Sequence, residues 1–253
     1  MRVCWSLIGN GQINVGCTGQ TVYLLDQQGG LIAAFRDLKY AYMAAISPRG
    51  DTFVVKTTDG RMAVYSVSPP ALIKKFRYSK VDAAQDDNFC FSPDGKLLYN
   101  IERHVDELKT ALSIYDTADF SLRKRILADD ESLCLSEIEY DPQTEKYYLL
   151  GFWRDADGAA MEFFVGTLTG DALTDLVPVP EQEWRFTQDY IELRMMGFTK
   201  KAYEWSDLFW HNHPELWTQR FEKVWAASDP EAELEAFRQA DVSLARLWRK
   251  YRR

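Results

Sequence analysis

The chain has 253 residues, 46% of them hydrophobic and 27% charged, which suffices for one large or two small folded domains and excludes a disordered or collagen-like polymer. The formal net charge is −8, and residues 200–253 are nearly balanced, with ten Lys/Arg against nine Asp/Glu, so the acidity lies in the first 199 residues. An acidic main body argues against a surface that wraps nucleic acid.

At the N-terminus, Met1 to Ile8 meets Gly9, Asn10 and Gly11 before any apolar run long enough for a signal peptide, and no stretch approaches the roughly 20 apolar residues of a membrane span. The expected location is the cytoplasm. Cys4, Cys17, Cys90 and Cys134 are scattered through apolar runs, with neither a C-x-x-C pair nor a neighbouring His cluster. They read as buried reduced thiols rather than zinc ligands.

A turn followed by a strand pair then recurs four times. The turns are Ile8-Gly9-Asn10-Gly11, Ser47-Pro48-Arg49-Gly50, Ser92-Pro93-Asp94-Gly95 and Asp141-Pro142-Gln143-Thr144-Glu145. Pro presets φ for a turn, Ser or Asp accepts a local backbone hydrogen bond, and Gly supplies a left-handed φ, so each segment reverses the chain. The β-rich runs after the turns are Ile13 to Gly19, Thr52 to Thr58, Leu97 to Arg103 and Lys146 to Trp153. Second runs follow at Thr21 to Asp26, Arg61 to Val67, Ala111 to Asp116 and Met161 to Thr167, and third runs begin at Leu31, Leu72, Leu122 and Leu173. With the run before each turn, every unit has four strands. A period of 40 to 50 residues with four strands per unit predicts a β-propeller-like array of four, possibly five, antiparallel blades, a β-sandwich being the competing arrangement.

The Ser-Pro-x-Gly turns and the Ile114-Tyr115-Asp116 strand ending resemble degenerate WD-repeat or YVTN-type propeller blades over roughly residues 1–178. The Gly-His dipeptide and Trp-Asp ending of the standard repeat are absent. The resemblance implies a platform for binding proteins rather than an enzyme.

Val177-Pro178-Val179-Pro180 ends the strand series, because Pro lacks the donor that a central strand needs. Residues 184–198 fit either a strand or a helix, which sets the expected domain at 1–198. Beyond it, 199–253 reads as a helical segment packed on that domain. Pro214 suits a first helical turn, and Trp217, Phe221, Val224 and Trp225 fall on one helical face. Ser228-Asp229-Pro230-Glu231 has capping-box spacing, and Leu234, Phe237, Leu244 and Trp248 continue an apolar stripe. Trp205, Phe209 and Trp210 add to an aromatic set expected to be packed core, because a helix laid over an unpaired sheet edge protects it from aggregation.

Candidate chemistry is sparse. His211-Asn212-His213 is the sole His pair and reads as a polar connection, and Asp86-Asp87, Asp129-Asp130-Glu131 and Asp155 with Asp157 read as solvated loop acids. Asp155-Ala156-Asp157-Gly158 lacks the later Glu of a calcium loop and reads as a hairpin turn. There is no G-x-S-x-G elbow and no phosphate-cradling glycine loop, so no catalytic, metal or cofactor residue is assigned. The final eight residues place five cations among aromatics, and Trp248, Arg249, Lys250, Arg252 and Arg253 are the candidate partner-binding residues. The expected function is a non-catalytic interaction scaffold whose partner is another protein or peptide. The alternatives are a hydrolase or lyase with loop carboxylates at the propeller mouth, or binding of RNA or an acidic partner through the basic C-terminal helix.

Overall fold

The computed structural model describes residues 6–78, 88–104, 109–127, 131–195, 227–229, 232 and 242–252. The Ser-Pro-x-Gly turns close as their residue types dictate. Gly50 and Gly95 both sit at φ 71°, and each donates its N–H to the carbonyl of the serine three residues earlier at 2.8 Å. The Ser47 and Ser92 hydroxyls accept the N–H groups of Thr52 and Leu97, the first residues of the strands that follow. In the first turn Asn10 Oδ1 accepts from Gln12 and Ile13, and in the fourth Asp141 accepts from the Gln143 N–H and the Thr144 hydroxyl. One device, a side-chain oxygen that starts a hairpin, is met by four different residue combinations.

Each turn joins the first and second strands of a four-stranded antiparallel meander. The first sheet is β1 (Ser6–Gly9), β2 (Ile13–Cys17), β3 (Val22–Asp26) and β4 (Leu31–Phe35). The second is β5 (Ala41–Ile46), β6 (Thr52–Thr57), β7 (Arg61–Val67) and β8 (Pro70–Arg77). The third is β9 (Phe89–Phe91), β10 (Leu97–His104), β11 (Lys109–Asp116) and β12 (Ser121–Leu127). The fourth is β13 (Leu133–Asp141), β14 (Lys146–Arg154), β15 (Ala160–Thr169) and β16 (Ala172–Val179). The strands occupy the runs that the turn spacing predicts, in blade order.

A β-bulge recurs between the third and last strands. Leu24 pairs with Ala33 but Leu25 with Leu31; Val64 pairs with Lys74 but Tyr65 with Leu72; Ile114 pairs with Lys124 but Tyr115 with Leu122. Ile32, Ile73 and Arg123 are the extra residues, and a register shift occurs at the corresponding place in the fourth sheet, between Val165 and Thr167. Such a bulge sharpens the local twist of the outer strand.

The chain divides into two compact units: residues 1–78 with 192–240, and 79–191 with 241–253. In the first, alternate residues of β2, β3, β6 and β7 meet in one core that includes Val15, Leu24, Val55 and Ala63. Phe53 stacks on Tyr65 at 5.0 Å, and Phe35 of β4 lies 4.4 Å from the same ring, so the last strand of one sheet is anchored to the next sheet. In the second unit Ile101, Leu112, Ile138, Leu149 and Phe164 form the core between the third and fourth sheets. A Cβ at Gly151 would collide with the Cys134 carbonyl oxygen and the Phe164 ring, so this close approach requires glycine.

After β16 the chain turns helical at once. Helix α1 runs Glu181–Met195, which places the segment left open between strand and helix in a helix. Pro180 accepts the first helical N–H bonds from Glu183 and Trp184. A second helix, α2 (Leu244–Tyr251), is capped by Ser243, whose side chain accepts from the Arg246 N–H. No helix among the described residues is long and apolar enough to cross a membrane.

Candidate interaction surfaces

In the fourth sheet, one face packs into the core with the third sheet, and the helices cover the other. Tyr148, Phe152 and Phe163 point to that second face. Trp184 of α1 packs on Phe163 and Phe152 with ring centroids 5.0 and 6.0 Å away, and Trp248 of α2 meets Tyr148 edge-on at 5.7 Å. The Trp248 indole donates to the Asp175 carbonyl oxygen at 3.0 Å, which ties α2 to the edge strand β16. The Leu244 N–H at the start of α2 donates to Glu139 Oε2 at 2.8 Å. α2 has no acid in its own first turn, so β13 supplies the negative charge that a helix N-terminus favours.

This docking places the C-terminal candidate residues. Trp248 is 5% exposed and faces inward with Leu244 and Leu247. Lys250 pairs with Glu183 of α1 at 3.0 Å, a hydrogen bond that raises its pKa. The Arg252 guanidinium lies 4.3 Å over the Trp248 ring, Arg249 is exposed, and Arg253 lies outside the described residues. The basic face of α2 therefore sits on a helix whose aromatic face is held by its own sheet.

The third sheet carries a buried polar cluster with no signal in the repeat pattern. Glu102 is 2% exposed and accepts at Oε1 from Arg125 Nη2 at 2.7 Å, Arg125 Nε at 2.9 Å and the Ser113 hydroxyl at 2.7 Å. Asn100 Nδ2 donates to its Oε2 at 3.0 Å. The four residues come from β10, β11 and β12, on the face opposite the Ile101 core. Burial, with the Glu102 charge beside it, pushes the Tyr115 phenol upward. A second buried acid, Glu137, accepts from Asn88 Nδ2, and Cys90 nearby has its thiol pushed up to about 12 by burial, with Glu139 and Glu137 adding to the effect. Each carboxylate is held by donors of its own unit, an arrangement that fixes strands.

Of the loop acids, Asp155 forms the hairpin turn expected of it, accepting from the Asp157 and Ala159 N–H groups with Gly158 at φ 85°. Glu131 is exposed, whereas Asp86, Asp87, Asp129 and Asp130 lie outside the described residues. So do His211 and His213, and Trp205, Phe209, Trp210, Trp217, Phe221, Val224, Trp225, Leu234 and Phe237 of the helical stripe. Asp229 accepts the Ala232 N–H at 3.1 Å, whereas Pro230 and Glu231 of the expected capping box lie outside the described residues. Among the described residues no group of three or more His, Cys, Asp or Glu side chains is placed to hold a metal ion.

The remaining surface feature lies on the last strands. Leu31 is 64% and Ile32 43% exposed on β4, and Leu72 is 39% and Ile73 53% exposed on β8. Last strands end their sheets, so among the described residues one backbone edge has no partner strand. β8 carries Pro70, Lys74, Lys75 and Arg77, β12 carries Arg123, Lys124 and Arg125, and β16 carries Pro178 and is tied to α2. β4, reading Leu-Ile-Ala-Ala-Phe, carries neither charge nor proline.

No family model and no curated protein sequence matches the chain. Among solved structures it is similar to Kuenenia stuttgartiensis hydrazine synthase, at 16% identity and a TM-score of 0.55, over 70% of this chain and 53% of that one. It is similar to the WD40 domain of Toxoplasma gondii coronin at 16% identity and a TM-score of 0.54, over 70% and 47%. It is also similar to the WD40 domain of Neurospora crassa Pan2 at 14% identity and a TM-score of 0.51, over 69% and 52%. The chain thus spans about half the length of these solved chains. With four four-stranded meanders, the likeness establishes a fold of β-propeller, WD40-like blades.

Proposed function

We propose that this protein is a non-catalytic interaction scaffold of the cytoplasm, built on propeller-type blades that present surface to another protein or peptide. The observation that carries the reading is the exposed aliphatic set Leu31, Ile32, Leu72 and Ile73 on the last strands of the first two sheets. Large aliphatic side chains left exposed on successive blades are a surface that another molecule can cover. The similarity to WD40 domains supports it at the level of fold. The buried acids support it as well, since Glu102 and Glu137 are engaged by Arg125, Ser113, Asn100 and Asn88. Affinity purification of the full chain at mild salt is expected to recover a stoichiometric protein partner. Recovery of none, together with turnover of a small molecule by the pure protein, overturns the reading.

A further inference from the structure

We propose that β4 is a docking strand: an extended acidic–apolar segment of a partner protein adds to its outer edge, with aliphatic side chains against Leu31 and Ile32 and carboxylates toward Arg36 and Lys75. The inference rests on the scaffold reading and names where and how that scaffold binds.

Three observations converge on this strand. Among the described residues β4 ends its sheet, so its outward N–H and C=O groups are a template for one more strand. It carries a bulge at Ile32, as the other last strands do, but neither charge nor proline, whereas β8 and β12 carry Lys and Arg, β8 and β16 carry Pro, and β16 is also tied to a helix. Its five residues would otherwise be an aggregation hazard, and a strand kept in that state is explained by a partner that uses it.

The charge around β4 selects the partner. Arg36 and Lys39 are exposed just beyond its C-terminal end, and Lys75 of β8 reaches the Asp37 carbonyl oxygen at 3.1 Å, which brings the cations of β8 to the same place. Asp59, an acid beside Arg77, is already paired with Arg61 at 3.2 Å. With the exposed Asp37 carboxylate set against Arg36, Lys39 and Lys75, the border of this apolar strand is net basic on a chain of net charge −8. A second copy would bring the same cations against themselves, and a nucleic acid would leave the aliphatic side chains unmatched. A peptide that alternates apolar residues along about five positions and ends in acids satisfies edge, side chains and border together.

The test uses the full chain and a fluorescent synthetic peptide of about twelve residues, alternating isoleucine with threonine and ending in glutamates. Anisotropy should report binding, and amide exchange should slow at residues 31–35 when the peptide is present. Leu31→Lys, at an exposed position that tolerates the change, should weaken binding about tenfold, the effect of losing one aliphatic anchor. Lys75→Glu should weaken it severalfold, with the difference shrinking as salt is added. Absence of binding, unchanged affinity in Leu31→Lys, or unaltered exchange in β4 overturns the proposal. A dimer dissolved by Leu31→Lys overturns it in favour of a second copy. A cellular partner retained equally by wild type and Leu31→Lys refutes β4 while leaving the scaffold reading intact.

Discussion

Glu102 shows how a single buried charge is kept at low cost. It is surrounded by donors from three strands, and Arg125 donates from both Nε and Nη2 to its Oε1 while Asn100 donates to Oε2. Glu102→Leu would leave Arg125, Ser113 and Asn100 without their acceptor, and urea unfolding should show a loss of about 2–4 kcal/mol, discounted for the partial exposure of Arg125. Ser113→Ala removes one donor and should cost about 1 kcal/mol. An unchanged midpoint for Glu102→Leu would show that the cluster contributes nothing to stability. Alkaline pH tests the buried neutral groups. The Cys90 thiol, ordinarily near 9.0, titrates in the fold at about 12, so the unfolded chain loses this proton first as pH rises. Stability is therefore full below pH 9 and falls between 9 and 12. The Tyr65, Tyr115 and Tyr147 phenols, all raised first by desolvation, act with the same sign above pH 10. Phenolate absorbance of these tyrosines should appear only as the chain unfolds; a hyperbolic titration of all tyrosines before unfolding would contradict their burial.

Among elements, α2 depends on contacts distant in sequence. Eight residues are too few for a stable isolated helix, so its structure follows from the face that holds Leu244, Leu247 and Trp248 against the fourth sheet. Trp248→Ala should cost about 3–5 kcal/mol and make residues 242–252 the first site of proteolysis. Glu139→Gln keeps an acceptor but removes the charge facing the helix N-terminus, and should cost about 0.5–1 kcal/mol. Thermal melts of the two variants check both values, and equal effects would show that packing and capping are not separable here. α1 had a readable signal in Pro180 followed by Glu181 and Glu183 in the first turn and the Glu181–Arg185 pair at 2.8 Å. The aromatic pair Trp184 and Phe186 favours a strand by propensity, but in the fold Trp184 packs on Phe152 and Phe163 from a helix.

At the scale of the whole molecule, the second face of the fourth sheet has to be closed. Removing residues 242–253 would expose Tyr148 and Leu247's packing surface on a sheet whose edge strand β16 also loses its bond to Trp248. The shortened chain should melt well below the full one and self-associate in light scattering. A monomeric fragment with the same melting temperature would show that α2 is an appendage, free to serve a partner instead. Both faces of the fourth blade are thus covered by the chain itself, whereas Leu31, Ile32, Leu72, Ile73 and Leu122 stay exposed on the last strands of the other three sheets.

Which residues form strands, where they turn, and how many sheets result were determined by local information: alternating burial, a side-chain oxygen opening each hairpin, and a residue accepting the required left-handed backbone angle, glycine in three turns and Glu145 in the fourth. These act over a few residues and repeat four times, so the strand runs from Ile13 to Val179 are legible in the sequence alone. Tertiary structure alone decided that Glu102 meets Arg125 across 23 positions, that Glu139 caps a helix beginning 105 positions later, and that the apolar stripe with Trp248 docks on Tyr148 of β14. It also decided that β4 stands exposed, since an apolar run such as Leu31–Phe35 reads the same whether its edge is covered or open. The physical reason is common to all four. Turn chemistry is settled between neighbours along the chain, whereas burial, charge pairing and edge exposure depend on which distant surface arrives to cover a residue, and no local pattern encodes that arrival.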